Sequence, residues 1–562
     1  MKILLIVSAF NSLTQRVFCL LKDMNHTISI SYAINDEVMI DAVNNFKPDI
    51  IFCPYLKKFI PKEIFLNTPS FILHPGIRGD RGHNSLDHAL LEEKKEWGVV
   101  ILKANEEFDA GEIYSEVKFV MRDATKASIY RDEVADATIQ ATKELLINLQ
   151  NKSFTPIPQL KTPMHRYLKQ VDRAINWQKD TSKEIIKKIR FSDSYPGVKD
   201  EFFGIECYLF GVWEDQGELS KAKERDHLGG ERLKGKAKEV IAKRDGAICV
   251  ATIDGAVWIS HLIEEGKFKL PATYVLKEKI KGVKEHRLPL IFDMSYKTFY
   301  EIGSHLDGDV AYLCFNFHNG AMHSEQCIRL KYAFEHLCSE AKVVVLIGAQ
   351  EFFSNGIHLN ILEDSKKQGE DGWSNINAMN DLVKSIIFAD EVITVASLHK
   401  NAGAGGVFLA LACDHVVASN KTVLNPHYKT LGLSGSEYHT FSLPKRVGEA
   451  KAKELLDRCL PLSADEAKDI NMVDEVFAQK NYFDTLRGFC SALVEDEEKY
   501  EDYIYDKQDY IEENETMIDR CKEEELKVMH PEFWDKDSAF HMLRHEFVYK
   551  TCPIQTPERL KS

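Results

Sequence analysis

The sequence predicts a multidomain α/β protein, and three observations support this prediction. The chain has 562 residues, enough for roughly three or four domains of ordinary size. Residues 1 to about 120 alternate strand-like with helix-like runs, the pattern of a doubly wound parallel sheet. A strand-rich segment with Asp-Gly turns follows, and after it strands and helices are again predicted to alternate. We therefore expect domains at 1–170, 171–285 and 286–480, and a helical extension at 481–562.

Composition and charge exclude several classes of protein. Lys+Arg 72 against Asp+Glu 87 gives a net charge of −15, which argues against a general binder of nucleic acid or anionic membranes. The 12 cysteines show no C-x-x-C or zinc-like spacing, so we expect neither a disulfide framework nor a metal site. No apolar run approaches the roughly 20 residues that span a bilayer. A soluble protein of the reducing cytoplasm is expected.

The first domain begins with a regular series of elements. Strands are predicted at Ile3–Val7, Ile28–Tyr32 and around residues 49–54, with helices near Gln15–Met24 and Val38–Phe46. The loop after the first strand lacks the G-x-G-x-x-G pattern, so a dinucleotide site has no support. A different ligand is expected at this sheet.

A candidate catalytic pair lies further along this domain. The strand-like run Ser70–Leu73 is stopped by His74–Gly76, which places His74 at the carboxyl end of a strand, where open α/β sheets bind ligands. Trp97–Leu102 reads as another strand, and the turn beyond it can return Asp109 to His74. A histidine held by a carboxylate is a general acid/base near neutral pH. The alternative is a loop histidine and an unrelated turn aspartate.

Three segments, 49–61, Leu73–Gly79 and Phe108–Ile113, resemble the tetrahydrofolate-dependent formyltransferases in order and separation. The resemblance implies a Rossmann-like domain that binds 10-formyltetrahydrofolate, with His74 and Asp109 catalytic. The residues expected to contact this cofactor follow the histidine: Pro75, Gly76, Arg78 and Gly79.

One residue departs from the formyltransferase pattern. The family places an asparagine two residues before the histidine, and this chain has Ile72 there. The missing amide would have helped to hold the formyl oxygen and the tetrahedral species. Either another donor replaces it, or the formyl acceptor differs from an ordinary amine.

The next region is predicted to be a connector followed by a small barrel. Prolines 156, 158 and 163 mark the boundary, and Ala174–Trp177 with Ile189–Gly197 is similar to the start of the barrel that follows many formyltransferase domains. Strands at Ile248–Ile253 and Val257–Leu262 belong to this small OB-like β-barrel. The polar insert Gly217–Arg232 is predicted to be a solvated loop.

The second half changes character and resembles the crotonase (enoyl-CoA hydratase/isomerase) superfamily over about 290–480. Strands are predicted at Val310–Phe315 and Val343–Leu346, and glycine-bearing turns occur within Phe353–Leu359 and Lys400–Asp414. A crotonase-type α/β domain that binds coenzyme A follows from the resemblance.

In that family two backbone N–H groups polarise a thioester carbonyl. Carried over by position, they are the N–H groups of Ile357 and Gly405, because glycine permits close approach and a helix amino terminus presents donors. Neighbouring residues expected to contact coenzyme A are Gly356, Gly403, Ala404 and Gly406.

The catalytic side chains differ from those of the hydratases. The first hydratase glutamate falls at Phe408 and the second near His427 or Tyr428, so water addition to a double bond is disfavoured. Four residues remain as proton carriers, namely His427, Tyr428, Glu437 and Tyr438. The sequence does not choose among them.

The extension from 481 is acidic and predicted to be helical, with charge runs at Glu495–Asp502 and Glu512–Glu515. Within it, His530–Trp534 is predicted to be a turn without a metal site.

A formyltransferase-like half fused to a crotonase-like half resembles the HypX/HoxX type of hydrogenase maturation protein. The resemblance implies formyl transfer from 10-formyltetrahydrofolate to coenzyme A, then decarbonylation of formyl-CoA to carbon monoxide for the active-site iron of NiFe hydrogenase. Possible partners are hydrogenase assembly factors or the large subunit.

Two alternatives stay open. One is a formyltetrahydrofolate hydrolase or amine formyltransferase that carries a CoA-binding module, and the other is a non-catalytic assembly scaffold. The absent asparagine and hydratase glutamates favour the scaffold, whereas His74 with Asp109 and the glycine turns disfavour it.

Overall fold

The computed structural model describes residues 1–215, 233–291, 297–348 and 351–561. The chain divides into two compact units. The first comprises Met1–His286, Lys297–Phe299 and Cys552–Ser562, and the second Arg287–Tyr296 and Tyr300–Thr551. The predicted loop Gly217–Arg232 lies outside the described residues.

The first unit opens with a six-stranded sheet in the order β2-β1-β3-β4-β5-β6. Its elements, in chain order, are β1 (Lys2–Val7), α1 (Ser12–Asp23), β2 (Thr27–Tyr32), α2 (Asp36–Phe46), β3 (Ile50–Cys53), α3 (Lys62–Asn67), β4 (Ser70–His74), α4 (Ser85–Leu91), β5 (Glu96–Lys103) and β6 (Ile113–Val120).

The predicted elements of this sheet are confirmed, but its direction is only partly parallel. Strands β1 to β4 run parallel, whereas β5 runs antiparallel to β4 and β6 antiparallel to β5. Apolar alternation marks a strand but carries no information on its direction, so the prediction of a parallel sheet was wrong at this edge. Asn11 and Asn35 cap α1 and α2 by accepting backbone N–H groups, which explains where both helices begin.

The first unit continues through a long helix and a connector into an antiparallel sheet in the order β7-β8-β11-β10-β9, with β12 beside β11. These elements are α5 (Lys126–Ile129), a π-helical turn (Tyr130–Val134), α6 (Ala135–Gln150), a 3-10 turn (Gln170–Asp172), α7 (Ser182–Ser192), β7 (Val198–Phe202), β8 (Ile205–Glu214), β9 (Val240–Arg244), β10 (Ala247–Ala251), β11 (Ala256–Glu264), β12 (Lys269–Pro271), α8 (Ala272–Leu276) and a 3-10 turn (Lys277–Ile280).

The second unit is built on a sheet in the order β13-β14-β16-β18-β20-β23, parallel from β14 onward. Its strands are β13 (Ile302–Asp307), β14 (Val310–Phe315), β15 (Ala321–Met322), β16 (Val343–Ile347), β17 (Gly356–Ile357), β18 (Ile393–Leu398), β19 (Ala402–Gly403), β20 (His415–Ser419), β21 (Val423–Asn425), β22 (Leu462–Ser463) and β23 (Glu475–Phe477).

Ten α-helices cover the described part of the second unit. They are α9 (Ser324–Cys338), α10 (Leu359–Asp364), α11 (Gln368–Ile387), α12 (Gly405–Leu411), α13 (His439–Val447), α14 (Glu449–Arg458), α15 (Ala464–Asp469), α16 (Tyr482–Ala492), α17 (Glu497–Trp534) and α18 (Ala539–Tyr549). Short 3-10 turns lie at His318–Gly320, Lys429–Leu431 and Gln479–Asn481, and one more, in the first unit, at Glu558–Leu560.

The helical extension departs from its prediction in two ways. His530–Trp534 is not a turn but the end of α17, a helix of 38 residues. Pro531 is tolerated there because Phe533 is buried against Trp373, with ring centroids 6.3 Å apart, so packing overrides the helix-breaking tendency of proline. The segment Cys552–Ser562 belongs to the first unit, where the Tyr32 N–H donates to Thr556 at 2.8 Å.

Among the helices of the described residues, none combines the length and apolarity that crossing a membrane requires.

Candidate active sites

His74 is the last residue of β4, and both of its ring nitrogens face carboxylates. Nε2 lies 2.6 Å from Asp80 Oδ2, and Nδ1 lies 3.4 Å from Asp109 Oδ1. Asp109 also accepts the Gly82 N–H at 3.1 Å. The structure thus brings His74 and Asp109 together. Because β5 is antiparallel, Asp109 arrives on the hairpin loop between β5 and β6, and not at the end of a parallel strand.

The neighbours of His74 decide its charge. Burial by itself lowers the pKa of His74, but hydrogen bonds and charges of Asp109 and Asp80 outweigh burial and raise it to about 9. Burial raises the pKa of each carboxyl, but the hydrogen bond and charge of His74, together with bonds and charges from other neighbours, outweigh burial and leave both pKa values below the usual range. His74 is therefore protonated at neutral pH and is suited to donate a proton.

Sequence reasoning missed Asp80, although an acidic residue between Gly79 and Gly82, six residues after His74, was an available signal. Its other oxygen lies 2.9 Å from Nε2 of His165. The His165 ring stacks on His88, with centroids 4.3 Å apart. Asp80 therefore links the buried His74 to a histidine whose side chain is 32% exposed.

A cavity of 350 Å³ opens beside His74. This volume falls in the range of small-molecule sites, roughly 300–1,000 Å³. Phe59 and Phe108 line it as an edge-to-face pair with centroids 5.2 Å apart, and both rings are partly exposed. Ile72 also lines the cavity, on the same face of β4 as His74. The cavity thus offers aromatic walls and, where the formyltransferases have an amide, an aliphatic side chain.

The residues after His74 divide into two groups. Pro75 lines the cavity, and Gly76 packs so closely that a Cβ there would lie 2.2 Å from the Asp80 carboxylate. Arg78 donates from Nε to the Pro158 carbonyl at 3.0 Å, and the Gly79 N–H donates to Gln159 at 2.8 Å. The structure thus places Arg78 and Gly79 against the connector and not on the cavity wall.

In the second unit the two predicted glycine turns meet. Gly356 has φ +79°, a conformation that favours glycine, and a Cβ there would lie 3.3 Å from the Gly405 nitrogen. A Cβ on Gly406 would lie 2.1 Å from the Ser354 carbonyl oxygen. The close contact brings the backbone of Ile357, in β17, near the first residue of α12. Two backbone N–H groups in such an arrangement can hold one carbonyl oxygen.

Hydrogen bonds hold the turn before α12 in place. The Gly403 N–H donates to the Ser354 carbonyl and the Ala404 N–H donates to the Asn425 carbonyl, each at 2.9 Å. Gly403 and Ala404 therefore form the frame of the site.

The buried carboxylate of Glu437 lies directly beside this turn. A Cβ on Gly405 would lie 2.5 Å from Glu437 Oε1, and the Glu437 side chain accepts the Tyr428 hydroxyl at 2.6 Å. The Glu437 N–H donates to Asn380 Oδ1 at 2.8 Å. Burial raises the pKa of Glu437, and burial together with the charge of Glu437 raises the pKa of Tyr428. An ionised Glu437 is therefore a stronger base than an exposed carboxylate.

Stacked aromatic rings lie at Phe408, the predicted position of the first hydratase glutamate, and at Tyr428, one of the two residues predicted near the second. Phe408 lies on Tyr428 with ring centroids 5.2 Å apart and planes at 14°, and the His439 ring meets both edge-on. The carboxylate of this site therefore comes from a different element, the segment before α13.

The other two candidate proton carriers, His427 and Tyr438, have different surroundings. His427 is partly exposed, with Nδ1 3.5 Å from the Thr430 hydroxyl. Tyr438 is buried, and burial followed by the charges of Asp519, Asp381 and Glu525 raises its pKa. Of the candidate side chains, the structure thus pairs Tyr428 with Glu437.

Comparison with known families agrees with both halves of the chain. The Formyl transferase family model matches residues 20–146, and the model of the Formyl transferase C-terminal domain matches 167–279. The Enoyl-CoA hydratase/isomerase model matches residues 310–524. These matches confirm the predicted fold class, a Rossmann-like formyltransferase domain, its small β domain and a crotonase-type domain with a helical tail.

Relatives of the whole chain share this architecture. Hydrogenase maturation factor HoxX from Bradyrhizobium diazoefficiens is 35% identical over 99% of this chain and 96% of its own length. A crystal structure of a HypX variant from Aquifex aeolicus superposes with a TM-score of 0.95 at 37% identity, covering 100% of this chain and 98% of that one. HypX from Aquifex aeolicus in complex with tetrahydrofolic acid gives a TM-score of 0.93 at 38% identity with the same coverage. The chain therefore belongs to the HoxX/HypX family of hydrogenase maturation factors.

Proposed function

We propose that this protein makes carbon monoxide from 10-formyltetrahydrofolate in two steps, with formyl-CoA as the intermediate. The observation that carries the proposal is the charge of the two sites. A protonated histidine lies beside a cavity of 350 Å³, and a buried carboxylate with a raised pKa lies against the glycine turn at Gly405. The first suits a reaction that needs an acid, and the second suits a reaction that needs a base.

In the first step the thiolate of coenzyme A attacks the formyl carbon of 10-formyltetrahydrofolate. The C–S bond forms, the His74 imidazolium gives its proton to the departing N10, and the C–N bond breaks. The proton that the thiol of coenzyme A released on forming the thiolate returns to His74 through solvent and restores the imidazolium. The products are tetrahydrofolate and formyl-CoA. Ile72 fits this step because a thiol acceptor does not need the amine-specific site of ordinary formyltransferases. The complex of HypX from Aquifex aeolicus with tetrahydrofolic acid supports a tetrahydrofolate as the carrier of the formyl group.

In the second step the N–H groups of Ile357 and Gly405 hold the carbonyl oxygen of formyl-CoA. The Glu437 carboxylate removes the formyl proton as the C–S bond breaks, which releases carbon monoxide and the thiolate of coenzyme A. Glu437 then returns the proton to the thiolate, so the step needs no oxidant or reductant. Formyl-CoA has no α-carbon, which fits the aromatic rings at Phe408 and Tyr428, at or near the predicted positions of the hydratase glutamates.

The carbon monoxide would become a ligand of the active-site iron of NiFe hydrogenase. We propose hydrogenase assembly factors or the large subunit in the cytoplasm as the recipients, on the strength of the HoxX relative.

The decisive experiment incubates the full chain with 10-formyltetrahydrofolate and coenzyme A and traps the released gas with deoxyhaemoglobin. A carbon-monoxide-bound haem spectrum that requires both substrates is expected. Free formate or a formylated amine without carbon monoxide would favour a hydrolase or amine formyltransferase with a CoA-binding module. Absence of all three products would favour a non-catalytic scaffold.

A further inference from the structure

Helix α17 places two carboxylates against the segment that carries Glu437. Glu525 and Glu532 are seven residues apart, which puts them two helical turns apart on one face. Both accept hydrogen bonds from the segment Ser434–Thr440, hereafter the 434–440 segment. The face of α17 that holds this segment is thus acidic, in an extension that the sequence alone predicted only to be acidic and helical.

Glu525 makes the larger set of contacts. Its carboxylate accepts the Tyr438 N–H at 3.0 Å, the Thr440 N–H at 2.8 Å and the Thr440 hydroxyl at 2.6 Å. It also lies 3.1 Å from Nδ1 of His439. Burial by itself lowers the pKa of His439, but the hydrogen bond and charge of Glu525 outweigh burial and raise it. One buried carboxylate therefore binds three consecutive residues.

Glu532 binds the start of the same segment. It accepts the Ser434 N–H at 3.0 Å and the Ser434 hydroxyl at 3.2 Å. The two carboxylates therefore hold the segment on both sides of Glu437.

Between the residues bound by Glu525 and Glu532, the backbone adopts a left-handed conformation that is unfavourable for residues other than glycine. Glu437 has φ +58° and Tyr438 has φ +56°, two consecutive non-glycine residues in the left-handed region. Such residues persist only where surrounding contacts determine them. Here the Tyr438 N–H is bound by Glu525 and the Glu437 N–H by Asn380. This backbone directs the Glu437 carboxylate onto Gly405.

The anchors lie outside the crotonase-like region. The Enoyl-CoA hydratase/isomerase match ends at residue 524, one residue before Glu525. Glu525 and Glu532 therefore lie in the part of α17 that follows the matched residues.

We propose that Glu525 and Glu532 are positioning residues for Glu437, through which α17 sets the base of the decarbonylation site. This inference rests on the proposed role of Glu437 in removing the formyl proton. It assigns the helical extension a direct part in the second reaction.

The kinetic test uses the full chain with synthetic formyl-CoA. In Glu525→Gln the amide nitrogen, a donor, faces backbone and hydroxyl donors, so the segment should shift. We expect kcat for carbon monoxide release to fall about 100-fold, the size of effect that a misplaced catalytic group causes, with little change in KM. Glu532→Gln, at a partly buried position, should show a smaller loss of kcat. The matched control is Glu524→Gln, whose side chain is 72% exposed and only faces Arg520 across 3.7 Å.

A double-mutant cycle separates positioning from general destabilisation. If Glu525 acts through Glu437, then Glu525→Gln should cause no further loss of kcat in a Glu437→Gln background. A full additive loss, or a Glu525→Gln variant as active as Glu524→Gln, overturns the proposal.

Hydrogen exchange tests the positioning without any activity. Exchange at the Tyr438 and Thr440 amides should accelerate in Glu525→Gln and stay unchanged in Glu524→Gln. Unchanged exchange in both variants overturns the positioning role. A wild-type chain that releases no carbon monoxide from formyl-CoA overturns the proposed function instead, so the two failures are distinguishable.

Discussion

The His74 and Glu437 sites both bury a titratable group, but they treat its charge in opposite ways. His74 lies between the carboxylates of Asp80 and Asp109, which stabilise its cation and raise its pKa to about 9. Glu437 is buried beside the hydroxyl of Tyr428, and burial raises the pKa of Glu437. Opposite charges nearby stabilise the imidazolium of His74, whereas burial destabilises the ionised carboxylate of Glu437 and makes it a stronger base.

The difference between the two sites suits the two proton transfers of the proposed function, which run in opposite directions at one pH. The first site is set to donate a proton, because its histidine is already charged. The second is set to accept one, because its carboxylate is destabilised when ionised.

Replacing His74 with alanine should abolish formyl transfer and spare the second site. We expect carbon monoxide formation from 10-formyltetrahydrofolate and coenzyme A to fall by about 10⁴-fold, the upper range for general acid catalysis. Release from supplied formyl-CoA should be unchanged. The control is His26→Ala, at the amino side of β2. Full output from the folate would contradict the role of His74.

Replacing Glu437 with glutamine should produce the reverse pattern. We expect carbon monoxide release from formyl-CoA to fall by about 10³-fold, within the range for general base catalysis, while formyl-CoA accumulates from the folate. Chromatography of the CoA esters measures both. Tyr428→Phe should cause a smaller loss, and the exposed Glu495→Gln should cause none. A Glu437→Gln variant with normal release would exclude this residue as the base.

Replacing Gly356 with alanine should damage only the second site. A side chain at φ +79° costs about 1–2 kcal/mol of stability, and displacing one oxyanion donor lowers the rate by about 10²-fold. Gly448 has the same φ of +79° with no atom within 4 Å of an added Cβ. Gly448→Ala should also lower the melting temperature, because Gly448 has φ +79° and ψ 157° at the junction of α13 and α14, but it should keep its rate with formyl-CoA. Equal rate losses in both variants would contradict a specific role for the turn.

Replacing Asp80 with asparagine should shift the pH dependence of the first site. Since the pKa of His74 is raised above its usual 6.5, the stabilisation from its ion pairs is complete below 6.5 and is lost as pH rises through about 9. Formyl transfer should likewise lose its acid as pH rises through about 9. Without one carboxylate this loss should begin at lower pH, although Asp109, Arg81 and His165 still face the site.

We expect the Asp80→Asn rate at high pH to be about tenfold below wild type, the effect of a shift of about one pKa unit. Comparing pH profiles of the two proteins cancels the ionisation of the coenzyme A thiol, which is common to both. Superimposable profiles would show that Asp80 does not tune His74.

Much of the fold was predictable from the sequence because it depends on local patterns. Apolar runs marked β1 to β5, and the glycines of the two turns marked the crotonase-like site. His74 at a strand end and Asp109 in the turn beyond the next strand were visible as well. The direction of β5 was not predictable, since apolar alternation is identical in parallel and antiparallel strands.

The chemistry of each site was less predictable because it depends on contacts between distant residues. Nothing in the sequence distinguished Tyr428 from Tyr438 as the partner of Glu437, since the choice follows from a left-handed backbone at 437 and 438. The prediction of a turn at 530–534 was wrong for a related reason, because burial of Phe533 stabilises the helix across Pro531.

The sequence by itself determined the order of the elements, the two families and the groups available for chemistry, because these follow from local periodicity and motif spacing. Only the tertiary structure decided the charge of the titratable groups and the direction of the strands and side chains. It set two carboxylates around His74, turned Glu437 onto Gly405 and brought Glu525 of α17 into hydrogen bonds with the 434–440 segment. Burial and proximity, which govern pKa and orientation, arise only when the chain folds.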